Sequence, residues 1–276
     1  MENYNLIDGH VIPQVGFGTY KLNGASGVHA IVNALNNGYR VLDTAYNYEN
    51  EGTVGKAMQQ SHVSRDQIIV TSKLPGRYHS YEQAARTIQE SIYRLGVEYI
   101  DLYLIHWPNP KQGLYVEAWK ALIEAQKMGL VKSIGVCNFL PEHLETLEKE
   151  TGVLPAVNQI QLHPYFNQKD AIKYHEEKGI ITEAWSPLGR ASEVIHDKNI
   201  EQIAKKYNKT IPQIILKWHV QNGVVPIPKS TSNARQIQNL DIFDFYLESE
   251  DLHTIDNLTK SDGRLKDQDP AEYEEF

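Results

Sequence analysis

Residues 68–107 read IIVTSKLPGRYHSYEQAARTIQESIYRLGVEYIDLYLIHW, and the alternation within them decides the fold. Ile68-Ile-Val-Thr-Ser-Lys-Leu74 and Asp101-Leu-Tyr-Leu-Ile-His-Trp107 are short, nearly continuous apolar runs. Such runs suit strands buried on both faces of a parallel sheet. Between them Ala84, Ile88, Ser91, Ile92 and Leu95 recur three or four apart, the spacing of one buried helix face, and Gly96 follows as a stop. A strand, a helix and a second strand of the same kind make a βα repeat.

The same two patterns extend in both directions. Val15-Gly-Phe-Gly18 and Val41-Leu-Asp-Thr44 come before it. Ser133 to Asn138, Val157 to Leu162, Ile180 to Trp185 and Val224 to Lys229 come after. Trp119, Leu122, Ile123 and Gln126 carry helical spacing, as do Ile200, Ile203, Ala204 and Tyr207; Pro141 opens a helix and Gly152 ends it. Eight strand candidates result, spaced about 30 residues apart as βα units are. They predict an α/β chain folded as a closed (β/α)8 TIM barrel. Ahead of the barrel, Asp8-Gly9 lies between apolar pairs and predicts a two-residue hairpin turn. That N-terminal β-hairpin is expected to close the barrel floor. No linker interrupts residues 1–276, which are expected to form a single domain. Residues 261–276, with six acids and two bases, are expected to be an irregular tail. A frayed terminus and a loop lying over the barrel mouth both fit that composition.

Net charge and cysteine content narrow the functional classes. The chain carries a net charge of -8, so it lacks the broad basic surface that nucleic acid or an anionic membrane would recruit. Its one cysteine, Cys137, excludes an internal disulfide and fits a reducing compartment. The opening MENYNLIDGHVIPQVG has acids and a proline where a signal peptide has an apolar run, so a cytoplasmic location is expected. Gly16-Phe-Gly18 lacks the third glycine of a dinucleotide fingerprint. His175-Glu-Glu177 has no second histidine at zinc-helix spacing, there is no Gly-x-Ser-x-Gly elbow, and no cysteine cluster is present, so no metal is expected.

What remains informative is where polar residues interrupt the strands. Active sites of such barrels lie at the carboxyl ends of the strands. Asp43, Lys73, His106, Asn138 and Lys229 fall at or near five of those ends. Lys73 follows an apolar run, so its ammonium sits deep and needs a partner; Asp43 is the natural one. Taken alone, the two are a structural ion pair. Tyr48 lies five residues after Asp43. A phenol beside an ammonium is expected to have a lowered pKa and to serve as a general acid. A neutral His106 imidazole can donate one hydrogen bond to a carbonyl oxygen.

Asp43-Thr-Ala-Tyr-Asn-Tyr48-Glu-Asn-Glu51, Thr71-Ser-Lys73-Leu, Asp101 to Pro108, Gly135-Val-Cys-Asn138-Phe and Ile227-Pro-Lys229-Ser230 together closely resemble the aldo-keto reductases. The likeness is to the compact bacterial branch that includes 2,5-diketo-gluconate reductases. The resemblance implies a catalytic set of Asp43, Tyr48, Lys73 and His106. Tyr48 would donate the proton while NADPH delivers hydride to an aldehyde, ketone or dicarbonyl. By the same resemblance, Asn138 and Gln159 would contact the nicotinamide, with Cys137 where relatives carry serine. Trp185 would stack on the ring, followed by Ser186 and Leu188, with Gly18, Thr19 and Asp43 near the nicotinamide ribose. Lys229, Ser230, Thr231 and Arg235 would hold the adenosine 2′-phosphate, and Gln238 and Asn239 the adenine. Tyr20, Tyr48, His106 and Trp107 would line an open, shallow substrate pocket in a monomer. Two other readings stay on the table: a non-catalytic NADPH-binding redox sensor or subunit, and a Schiff-base lyase built on Lys73. The Asp43 counter-ion opposes the lyase, because a nucleophilic lysine must be neutral.

Overall fold

The computed structural model describes residues 2–266 and 268–276; Asp267, within the expected tail, lies outside the described residues. Strands β1 (Asn3–Asn5) and β2 (Val11–Pro13) pair antiparallel, with Tyr4 opposite Ile12. The hairpin is present, but its turn differs from the expected Asp8-Gly9 pair. Gly9 N–H donates to Leu6 O at 3.0 Å and Leu6 N–H to His10 O at 2.8 Å. Ile7 and Asp8 are thus the central residues, and Gly9, at φ +88°, takes the left-handed position that follows.

The barrel follows as β3 (Phe17–Gly18), α1 (Gly24–Asn36), β4 (Val41–Asp43), α2 (Glu51–Gln60), β5 (Ile69–Leu74) and α3 (Tyr81–Leu95). It continues as β6 (Ile100–Ile105), α4 (Tyr115–Lys127), β7 (Val131–Cys137), α5 (Pro141–Thr151), β8 (Val157–Gln161) and α6 (Lys169–Lys178). The last part is β9 (Ile181–Trp185), α7 (Lys198–Tyr207), α8 (Ile211–Gln221), β10 (Val224–Pro226), α9 (Asn233–Leu240) and α10 (Ser249–Asp256). Strands β3 to β10 form one eight-stranded sheet in sequence order, every neighbouring pair parallel. Gly16 N–H to Pro226 O at 3.0 Å and Gly18 N–H to Pro228 O at 3.1 Å join the two ends and close the barrel.

Strands β4 and β8 end one residue short of the expected ranges, at Asp43 and Gln161, and three further strands stop before a residue expected in the site. β10 stops at Pro226 because Pro226 and Pro228 have no N–H for the ladder, which leaves Lys229 three residues beyond the strand. Asn138 turns to φ +61° one residue past β7. His106 lies one residue past β6. All three side chains nonetheless start from the carboxyl end of the barrel.

Burial follows the sequence periodicity. Helix α3 buries Ala84, Thr87, Ile88, Ser91, Ile92 and Leu95 against the sheet. Pro141 starts α5 and Gly152, at φ +71°, ends it. Inside the barrel, Val41, Leu102, Leu104, Cys137, Val157 and Val225 pack with Leu6 and Ile12 of the hairpin, which seals the floor. Tyr4 pins the hairpin by donating to Val220 O at 2.9 Å.

The two readings of the tail are now separated. Residues 261–266 and 268–276 carry no helix or strand, yet the end of the chain lies across the barrel mouth. The Asn109 amide grips the Glu275 backbone in both directions, donating to its O at 2.8 Å and accepting from its N–H at 3.1 Å. Gly76 passes beneath; a Cβ there would come within 2.4 Å of Glu275 O. Among the described residues no helix is long and apolar enough to cross a membrane.

Candidate active site

Four residues expected from sequence converge on the mouth. Asp43 ends β4 and Lys73 lies near the end of β5, and parallel pairing of these strands, with Asp43 opposite Thr71, sets the two side chains together. Lys73 Nζ donates to Asp43 Oδ1 at 2.7 Å, Asp43 Oδ2 at 2.6 Å and Thr44 O at 2.8 Å. Both residues are buried. Burial alone would lower the Lys73 pKa, but Asp43 outweighs it and the net shift is upward, so the ammonium persists.

Tyr48 ends a 3-10 turn, Tyr46–Tyr48, that begins just after β4. Lys73 Nζ lies 5.1 Å from its ring centroid, and the His106 ring meets it edge-on with centroids 5.8 Å apart. The expected lowering of the Tyr48 pKa does not hold as a net effect. Desolvation raises it, Lys73 pulls it down, and Asp43 pushes it up again, leaving it above the ordinary phenol value. The whole residue is only half-buried, so water in the mouth tempers that desolvation. The phenol therefore rests protonated, with an ammonium beside it to stabilise the phenolate that forms once the proton leaves.

The layer beneath these residues holds Gln159 and Cys137, both expected from the sequence, and Glu183, which was not. Gln159 Nε2 donates to Asp43 Oδ2 at 2.9 Å and to Glu183 Oε2 at 2.8 Å. The amide nitrogen is therefore held by two carboxylates, and the carbonyl end is what it has left for a ligand. Glu183 is fully buried inside the barrel, and its carboxyl is pushed up to about 7, first by burial and then by the charge on Asp43. Its one sequence signal was an acid inside the apolar run Ile180 to Trp185. Cys137 is buried too; burial holds its thiol well above the usual value, so it packs as a neutral side chain.

The C-terminal strap supplies the other residues that sequence reading missed. Glu275 Oε1 lies 2.8 Å from His106 Nδ1. Asn47 Nδ2 donates to the same oxygen at 2.8 Å, and Gly76 N–H to Oε2 at 3.1 Å. Tyr273 packs on Trp107 with ring centroids 4.5 Å apart, leaving Trp107 buried. The open, shallow pocket expected from a short tail is thus narrowed on that side. Tyr20 remains exposed and faces Tyr48 with centroids 4.9 Å apart.

The expected cofactor residues fall along one rim. Asn138 donates to His106 O at 3.1 Å and accepts from Trp185 Nε1 at 2.8 Å, which fixes the indole at the mouth. Ser186 follows at φ +51° and Leu188 packs into the core. Thr19 is buried, its hydroxyl holding Asp43 O at 2.8 Å, and Gly18 pairs with Asp43 in the β3–β4 register. Beyond β10, Lys229 and Arg235 are exposed and form no ion pair among the described residues. They flank the start of α9, where Ser232 caps Arg235 N–H at 3.4 Å. Ser230 Oγ accepts from Ser232 N–H at 3.1 Å, and Thr231 is exposed. Two cations free of acidic partners beside a helix amino end fit a phosphate. Thr231 also lines a cavity of about 410 Å³ with Lys21, Ser26, His29, Asn33 and Asn233, of which only Thr231 was expected. Gln238 is half-exposed on α9, whereas Asn239 is buried beside Tyr39 and so turned from solvent. Gln236, not expected, anchors this segment by donating to Ala30 O at 2.9 Å and Ser230 O at 3.0 Å. Among the described residues no group of three His, Cys, Asp or Glu side chains is placed to hold a metal ion.

The profile of the Aldo/keto reductase family matches residues 14–260. The chain is 49% identical to 2,5-diketo-D-gluconic acid reductase B of Corynebacterium sp. (strain SHS752001), over 99% of this chain and 98% of that one. It is 43% identical to methylglyoxal reductase DkgA of Escherichia coli (strain K12), over 97% and 96%. Among solved structures, a mutant of Gox0644 in complex with NADPH superposes with a TM-score of 0.93 at 42% identity, covering 98% of this chain and 97% of that one.

Proposed function

The chain belongs to the aldo/keto reductase family, and from that premise we propose that Asp43, Tyr48, Lys73 and His106 are the residues with which it reduces carbonyl compounds at the expense of NADPH. The observation that carries the assignment is the Lys73 ammonium, bonded to both oxygens of Asp43 and lying 5.1 Å from the Tyr48 ring centroid, with the His106 ring edge-on to Tyr48 at 5.8 Å between centroids.

When bound, NADPH supplies the hydride that reaches the carbonyl carbon. The chain's own residues do the rest. His106 holds the carbonyl oxygen by hydrogen bonding. Tyr48 gives its hydroxyl proton to that oxygen as negative charge develops there. Lys73, kept cationic by Asp43, stabilises the phenolate left behind. Lys229, Ser230, Thr231 and Arg235 would hold the 2′-phosphate, Gln238 the adenine side, and Trp185 the nicotinamide face. Asn138 and the free carbonyl of Gln159 would meet the carboxamide. The persistent ammonium of Lys73 counts against a Schiff-base lyase.

The two named relatives act on a diketo acid and on methylglyoxal by their names. Small dicarbonyls and aldehydes are accordingly the substrate class we assign. We further infer a single-domain, cytoplasmic monomer with no nucleic-acid or membrane partner, a reading supported by the net charge of -8. Following NADPH absorbance against a panel of aldehydes, ketones, dicarbonyls and sugars tests the assignment. Turnover of dicarbonyls and aldehydes is the expected result. Tight NADPH binding without turnover of any of them would favour a redox sensor instead.

A further inference from the structure

The Glu275 carboxylate lies at the point where the strap meets the mouth, and the reaction as described leaves it without a role. Its Oε1 is 2.8 Å from His106 Nδ1, a buried nitrogen that has no aligned hydrogen bond to any described residue, so the two groups meet at ion-pair distance. Burial acts to raise the Glu275 pKa, but His106, Asn47 and the Gly76 N–H outweigh it and the net shift is downward. An ionised carboxylate only accepts hydrogen bonds. A ring nitrogen this close to it carries a proton, since a bare lone pair there would face negative charge. A neutral imidazole has one N–H. With that proton at Nδ1, Nε2 would offer a lone pair to the mouth, and a carbonyl oxygen offers lone pairs as well. His106 can hold a carbonyl oxygen from Nε2 only when both ring nitrogens are protonated, which replaces the neutral imidazole expected from the sequence.

We propose that Glu275 is a positioning residue for carbonyl reduction: it fixes a proton on His106 Nδ1 and balances the imidazolium whose Nε2–H holds the substrate oxygen. This rests on the reductase reading above and extends the site to the second-last residue of the chain. The other polar groups nearby leave the contact undisturbed. His79 is buried, and desolvation depresses its pKa to about 4 against the pull of Glu275, so it stays neutral. Arg77 reaches Asn47 Oδ1 at 2.5 Å, and Tyr48 meets the imidazole through its ring. Asn109 grips the strap through backbone atoms of Glu275, so removing the side-chain charge leaves the strap anchored.

The test uses the full chain labelled with 15N-histidine, free of cofactor, at neutral pH. The His106 ring signals are assigned by their loss in His106→Asn. The wild type is expected to show both nitrogens protonated, and Glu275→Gln to lose one of the two protons at the same pH. Gly76→Ala is an independent variant: its Cβ would meet Glu275 O at 2.4 Å and the Asn109 amide nitrogen at 2.2 Å, displacing the strap with its charge intact. It is expected to give the same spectral change. In kinetics with methylglyoxal, Glu275→Gln should lower kcat about 10-fold, short of the loss on deleting an oxyanion donor outright, while the Kd for NADPH stays at the wild-type value. A bare Nδ1 in the wild type, or wild-type kcat in Glu275→Gln, overturns the proposal. A wild type that turns over no carbonyl defeats the reductase reading instead, and the ring signals then decide the Glu275 assignment alone.

Discussion

Lys73 directs all three of its N–H donors away from Tyr48: two go to the oxygens of Asp43 and one to Thr44 O. The lysine therefore acts on the phenol through charge held close to its ring, and Asp43 is what keeps that charge in place. Removing the lysine leaves a buried carboxylate with only the Gln159 amide for company. Lys73→Met is expected to lower unfolding stability by about 3–5 kcal/mol. Adding Asp43→Asn should restore most of the loss, since the uncompensated charge goes with it. Denaturant unfolding of the two singles and the double measures the coupling; additive losses would mean the pair does not balance each other's charge.

Arg235 is exposed in the first turn of α9, and Lys229, shortly before that helix, is exposed too. A charge-assisted bond to phosphate contributes about 1.5–3 kcal/mol, so Arg235→Ala should raise the KM for NADPH roughly 10- to 100-fold. NADH, which lacks the 2′-phosphate, should be affected little. Equal effects on both cofactors would remove Arg235 from the phosphate site.

Glu183 gives a pH signature of folding. Burial and the Asp43 charge hold its carboxyl at about 7 against an ordinary 4.5. The native chain thus binds a proton more tightly than the unfolded chain. Stability from this group is fully present below the ordinary carboxylate value and is lost as pH rises through about 7, by up to about 3 kcal/mol. Glu183→Gln keeps an acceptor for Gln159 and cannot ionise. Its melting temperature should fall less than that of the wild type between pH 6 and pH 8.5. Parallel pH curves for the two proteins would place the titration elsewhere.

Much of the barrel could be read from the chain because strands buried on both faces leave a plain trace of continuous apolar residues. Lys73 and His106 stood out for the same reason: each interrupts such a run near its carboxyl end. The hairpin turn was misread by one residue, since Asp8-Gly9 suits both a two-residue turn and a type I turn closed by a left-handed glycine. Glu183 was passed over although it too interrupts a strand, because no charge partner lies near it in sequence; Gln159 and Asp43 reach it only across the barrel. The least legible part was the strap. Glu275 meets His106 from 169 residues away in sequence, and an acidic terminal segment carries no periodicity that would place it. The direction of the Tyr48 pKa was beyond sequence as well, because the pull of Lys73 is visible there and the opposing burial is not.

The central claim is that Tyr48 gives the proton, and Tyr48→Phe tests it most directly. The variant deletes one oxygen and keeps the ring that packs against Tyr20 and His106. Turnover of a small aldehyde, followed by NADPH absorbance, should fall by about 10²–10⁴-fold, the contribution of a positioned general acid, while NADPH binding measured by protein fluorescence stays unchanged. A Tyr48→Phe enzyme that reduces the aldehyde at near the wild-type rate would contradict the account.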